Sequence, residues 1–108
     1  MDMDYIIEQL KNFLDKDNKI KQMSKKRKLQ ILAMFYLASK FEHKKEYKEK
    51  EVNEIINLWH SFNDVALLRR YLYQAGFLDR YKDGSLYWVK EPQPRLVEFE
   101  SWIGGSIC

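Results

Sequence analysis

A small, mainly α domain of the α+β class is predicted by three features of the sequence. First, residues 63–76 read as a helix, with Asn63 as a good N-cap, Asp64 adding negative charge to the first turn and Gly76 as a natural stop. Second, Val52, Ile55, Ile56 and Trp59 recur at i, i+3, i+4 and i+7, the spacing of an amphipathic helix ending near His60. Third, the aromatic-rich runs 77–81 and 85–89 are joined by Lys82-Asp83-Gly84, and Asp-Gly between such runs is a hairpin signal. Helix, tight turn, helix, hairpin is the order of a winged helix-turn-helix. The expected architecture is that fold over residues 24–90, with an extra N-terminal helix and connector (1–23) and an apolar C-terminal tail (91–108).

Composition bounds the possibilities. A chain of 108 residues buries one core, and an apolar share of 45% is ordinary for a globular protein. No apolar run approaches the ~18 residues of a membrane span, and the acidic N-terminus is unlike a signal peptide. Cys108 is the one cysteine, so there is no disulfide framework. A bacterial, cytoplasmic protein is the expectation. The net charge of +3 is mild but unevenly spread. Residues 1–18 carry Lys11 and Lys16 against Asp2, Asp4, Glu8, Asp15 and Asp17, whereas residues 19–28 hold Lys19, Lys21, Lys25, Lys26, Arg27 and Lys28 with no acid. Such a block attracts polyanions despite a small net charge, although a solvated linker has the same composition.

Each element follows in order. Residues 4–14 form a helix with Met3, Ile6, Ile7, Leu10, Phe13 and Leu14 along one side, and residues 15–23 a polar connector. Ser24 caps a helix reaching Lys40, whose inward face is Leu29, Leu32, Ala33, Tyr36, Leu37 and Phe41. Its first turn is unfavourable, because Lys25, Lys26, Arg27 and Lys28 set four cations at the positive end of the dipole. Stability does not select that arrangement; in a winged helix the start of this helix commonly faces the DNA backbone, so phosphate contact is the expectation and simple solvation the alternative. Residues 41–47 form a charged link, with Tyr47 as a short strand joining the hairpin edge. In the helix of residues 63–76, Val65, Leu68, Tyr71, Leu72 and Ala75 share the inner face, while Ala66, Arg70 and Tyr73 lie opposite. In the tail, Pro92 and Pro94 end the hairpin. Leu96, Val97, Phe99, Trp102 and Ile103 then pack on the N-terminal helix, within one chain or across a homodimer joined through residues 3–14 and 96–103.

Glu46-Tyr47-Lys48-Glu49-Lys50-Glu51-Val52-Asn53-Glu54-Ile55, Leu68-Arg69-Arg70-Tyr71-Leu72, Gly76-Phe77-Leu78 and Gly84-Ser85-Leu86-Tyr87-Trp88 together resemble one bacterial family. It is the domain of unknown function catalogued under the number twenty eighty-seven, whose members are usually described as transcriptional regulators. The resemblance covers residues 25–89 and implies a regulator domain of winged-helix type. One departure is Lys48, where the family usually has Thr or Ser in a capping box with Glu51. Loss of that side-chain cap costs about 1 kcal/mol.

No enzyme is expected, since the sequence has no phosphate loop, dinucleotide turn, metal-ligand cluster or nucleophile elbow. No cofactor is expected either. His43 and His60 are too isolated for a metal site and read as surface or turn residues. The expected partner is double-stranded DNA, with residues 63–74 in the major groove and Lys82 on the wing. Arg70 reads a guanine edge, and Gln74 or Asn63 an adenine. Arg69 and Lys82 meet phosphates, as do Lys25, Lys26, Arg27 and Lys28. Tyr73 lies on the same outer face. The alternative is a protein-interaction winged helix that uses Leu67, Tyr73 and the apolar termini.

Overall fold

The computed structural model describes residues 3–99. Four helices and two strands follow one another: α1 (Met3–Leu10), α2 (Arg27–Ala38), α3 (Glu49–Trp59), α4 (Val65–Gln74), β1 (Leu78–Arg80) and β2 (Tyr87–Val89). Short 3-10 turns occupy Lys11–Phe13 and Leu96–Phe99. Among the described residues no helix is long and apolar enough to cross a membrane.

α2 runs through the centre. Its expected single inward face is too narrow, because Ile31, Met34 and Ala38 are buried along with Leu32, Ala33, Tyr36 and Leu37. A helix apolar most of the way round needs cover on several sides. α1 packs on one side and α4 on another. Phe35 meets the rings of Phe77 and Phe99, and Tyr36 meets Trp59. The Lys40 ammonium lies over the Tyr36 and Trp59 rings at 4.4 and 3.9 Å, and burial there lowers its pKa.

The N-terminal helix is shorter than its periodicity predicts. It buries Ile6 and Leu10, gives way to the 3-10 turn, and leaves Leu14 extended. The cause is Asp15, whose Oδ1 accepts the N–H groups of Asp17 and Lys19 at 2.9 and 3.0 Å. Asn18 completes the turn at φ +62°, a conformation that asparagine tolerates. The supposed polar connector therefore delivers a core residue. Ile20, 1% exposed, pairs with Leu14 on one side and His60 on the other. The homodimer expected through residues 3–14 and 96–103 draws on apolar side chains that one chain already covers in part, since Ile6, Leu10, Leu14 and Phe99 are buried within it.

His60 is the largest correction at the α3–α4 junction. It is 3% exposed rather than a surface histidine. Its Nδ1–H donates to the Ile56 carbonyl (2.8 Å) and its Nε2 accepts the Asp64 N–H (3.0 Å), the one neutral tautomer that satisfies both groups. Asn63 is not the N-cap of α4. It sits at φ +57° in the turn, Asp64 takes the cap position without a side-chain bond, and the ring of His60 holds the Asp64 N–H instead. The start of α3 keeps half of a capping box. Glu51 accepts the Lys48 N–H at 2.9 Å, while a lysine side chain has no acceptor for the reciprocal bond.

The end of α4 is built as expected. Gly76, at φ +87°, lets its N–H reach the Tyr73 carbonyl and that of Phe77 reach Leu72, the two bonds of a Schellman motif. The chain then enters the expected hairpin, with Leu78 opposite Val89, Asp79 opposite Trp88 and Arg80 opposite Tyr87. Tyr47 joins as a one-residue strand, exchanging two N–H···O bonds of 2.7 Å with Tyr87. Beyond the hairpin, Phe99 stacks on Phe77 with centroids 5.8 Å apart. The described part of the tail thus covers α2 and the start of the hairpin. Trp102 and Ile103 lie outside the described residues.

Candidate nucleic-acid interface

α4 fixes what can face a partner. Leu68 and Leu72 are fully buried, so Arg70 between them points out, and Gln74 lies one turn further on the same side. The two adjacent arginines therefore have different environments. Arg69 turns back to α3, where its guanidinium donates to Asn53 Oδ1 and lies 3.5 Å from Glu49, with its side chain only 20% exposed. Arg69 ties the two helices together, while Arg70 is exposed.

The basic block is also redistributed. Ser24 does not cap α2, which begins at Arg27 with Lys26 as its N-cap residue. Ser24 instead builds the approach, with its Oγ accepting the Lys26 N–H (3.0 Å) and its carbonyl accepting the Gln30 amide (2.7 Å). Lys25 and Lys26 thus precede the helix, and only Arg27 and Lys28 remain at the positive end of its dipole. Lys28 leans over the Tyr5 ring of α1.

Between the start of α2 and the end of α4 lies a cleft of about 380 Å³. Lys25, Arg27 and Gln30 border it on one side and Tyr71 and Gln74 on the other, with Ile31, Met34, Ala75 and Phe77 also lining it. Three of the residues singled out in the sequence, Lys25, Arg27 and Gln74, converge here from distant parts of the chain. Tyr71 moves from the expected buried face to the rim, at 38% exposed. Gln30 has no place in the sequence-based site, although Arg27, Gln30, Ile31 and Met34 form a stripe at i, i+3, i+4 and i+7 that marks one side of α2.

Asn63 and Lys82 are exposed, the first in the α3–α4 turn and the second on the hairpin loop, and neither borders the cleft. Asp83 beside Lys82 is held ionised below its ordinary pKa by hydrogen bonds from Ser85, whose N–H lies 2.9 Å away. Tyr73 is engaged by Arg80, whose guanidinium lies 4.6 Å from its ring centroid. Hydrogen bonding to Tyr73, more than to Tyr87, keeps Arg80 charged above its ordinary pKa. Arg80 is absent from the sequence-based site, yet it locks hairpin to helix. Strand alternation from buried Leu78 puts it on the same side of β1. No group of three or more His, Cys, Asp or Glu capable of holding a metal occurs among the described residues.

A family model described as "Uncharacterized protein conserved in bacteria (DUF2087)" matches residues 19–89. The chain belongs to this family. The DUF2087 match ends at the last residue of β2 and begins just before Ile20, earlier than the resemblance starting at residue 25. That earlier start includes the residue whose backbone pairs with the α3–α4 junction. Helix α1 and the Leu96–Phe99 turn lie outside the DUF2087 match. No curated protein and no solved structure matches the chain.

Proposed function

We propose that the chain is a winged helix-turn-helix regulator that binds double-stranded DNA, with α3 and α4 as the helix-turn-helix and the β1–β2 hairpin as the wing. The observation that carries this reading is the surface shared by two distant segments. Lys25 and Arg27 line one cleft with Gln74, and Arg70 stands one turn before Gln74 on the outer side of α4. Phosphate contacts come from cations that position a duplex, and base readout from side chains on a helix that enters the major groove. In this reading Lys25, Lys26, Arg27, Lys28 and Lys82 meet phosphates, and Arg70 and Gln74 meet base edges, with Asn63 at the leading turn. Arg69 and Tyr73 hold α4 against α3 and the hairpin rather than touching nucleic acid. The reading carries a cytoplasmic location with it.

Anisotropy with a random duplex across a range of salt tests the proposal. Binding should weaken with a logarithmic slope of about −4 to −5, as for roughly five phosphates neutralised at about 0.9 each. Absence of salt-dependent binding to any duplex ends the regulator reading, and Leu67 and the exposed Tyr71 and Tyr73 then belong to a protein-contact surface.

A further inference from the structure

We infer that the cleft between α2 and α4 is a binding site for a small organic anion with an apolar body. The site stands independently of the DNA reading, because its interior is more than a phosphate surface needs. Ile31 and Met34 from α2 and Phe77 after α4, at 5%, 3% and 0% exposed, make a carbon floor that the core already fixes, and the Tyr71 ring and Ala75 side chain give it an accessible apolar wall. A duplex backbone has no group to place there, whereas an aliphatic or aromatic body does. At about 380 Å³ the cleft falls within the usual range of small-molecule sites, about 300 to 1,000 Å³.

The mouth defines the charge of the ligand. Lys25 stands there, and none of the described lining residues is acidic. The Ser24 turn fixes the approach of Lys25, since Ser24 holds both the Lys26 N–H and the Gln30 amide. The amides of Gln30, fixed by its bond to the Ser24 carbonyl, and of Gln74 line the opening beside Lys25. A carboxylate, sulfonate or phosphate at the mouth gains a charge-assisted bond from Lys25, and its carbon body replaces water against the Tyr71 ring and the Ala75 side chain. Because Lys25 also serves the proposed phosphate surface, ligand and duplex exclude each other; that clause alone rests on the DNA reading.

The full-length chain is titrated with anilinonaphthalene sulfonate and with N-phenylnaphthylamine, which has the same rings without the charge. Fluorescence gives affinity, and heteronuclear NMR follows the Met34 methyl and the Gln30 and Gln74 side-chain amides. The anion should bind saturably, one per chain, shift those signals, and bind at least about tenfold more tightly than the neutral compound, the loss expected for one charge-assisted hydrogen bond. Lys25→Gln should weaken the anion by about that factor and leave the neutral compound unchanged. Ala75→Leu, which narrows the cleft, should weaken both, with unchanged backbone spectra showing that the fold is intact. Equal affinity for the two compounds, shifts centred elsewhere, or sedimentation showing a second copy displaced by the dye overturns the site. A chain that takes the anion at the cleft yet ignores every duplex supports this inference and removes the DNA reading. Duplex binding without anion binding removes this site alone.

Discussion

Replacing His60 with leucine tests the junction that sets the angle between α3 and α4. The imidazole is 3% exposed and makes two hydrogen bonds, to the Ile56 carbonyl and from the Asp64 N–H. Leucine fills much of the volume and makes neither. Each lost bond removes about 1 kcal/mol, and the stranded backbone groups bring the total to about 2 to 3 kcal/mol. For a domain of this size that is a fall in melting temperature of roughly 8 to 20 °C. Two further variants divide the effect. His60→Asn puts an amide N–H near the position of Nδ1 and should recover the Ile56 bond, whereas His60→Gln puts its amide oxygen near Nε2 and should recover the Asp64 bond. Each should regain about half of the loss, read from urea unfolding with an unchanged slope. A leucine variant within about 0.5 kcal/mol of the parent, the scatter of surface substitutions, refutes the junction argument.

Three other outcomes are expected. Arg70→Ala should weaken binding to a selected duplex by about 1 to 3 kcal/mol and spare a scrambled one, while Lys26→Ala weakens both alike and flattens the salt slope by about one unit; anisotropy reads the split. Arg69→Met keeps its packed stem but loses Asn53 and Glu49, so urea unfolding should show a loss of about 1 to 2 kcal/mol while the salt slope stays unchanged. Burial, reinforced by the charge of Asp15, raises the Tyr36 hydroxyl above its ordinary 10.0. The unfolded tyrosine therefore releases its proton first, so this contribution to stability is complete below about pH 10 and is lost as pH rises through the folded value. Unfolding measured against pH should show that loss in the parent and not in Tyr36→Phe.

Much of the fold is legible wherever one short-range rule decides it. Gly76 had to end α4, Asp83-Gly84 had to turn the hairpin, and the spacing of Val52, Ile56 and Trp59 defined α3. The misread positions depend on contacts between distant segments. Ile20 lies in a run of lysines and looks like linker, and only its pairing with Leu14 and His60 makes it core. His60 looks like a turn residue because its partners, a carbonyl and an N–H of the backbone, leave no trace in side-chain identity. Ser24 and Asn63 are both strong cap formers by type. Each is passed over because the helix starts later than it, with Lys26 at the cap position of α2 and Asp64 at that of α4.

The site was half legible for a related reason. A face drawn at 100° per residue around Leu68 is wide enough to include Tyr71, but the supports of α4 are narrow. Leu68 and Leu72 alone are fully buried along it. The slack on one flank lets Tyr71 emerge at the cleft rim, and the tight approach of α3 on the other pulls Arg69 inward to Asn53. A small rotation of the helix about its axis therefore exchanges the expected roles of the two residues, a tyrosine gained by the surface and an arginine lost to the interior. Arg70 is insensitive to that rotation because it stands midway between the two buried leucines. The position that periodicity fixes most firmly is thus also the one on which the base-reading proposal depends.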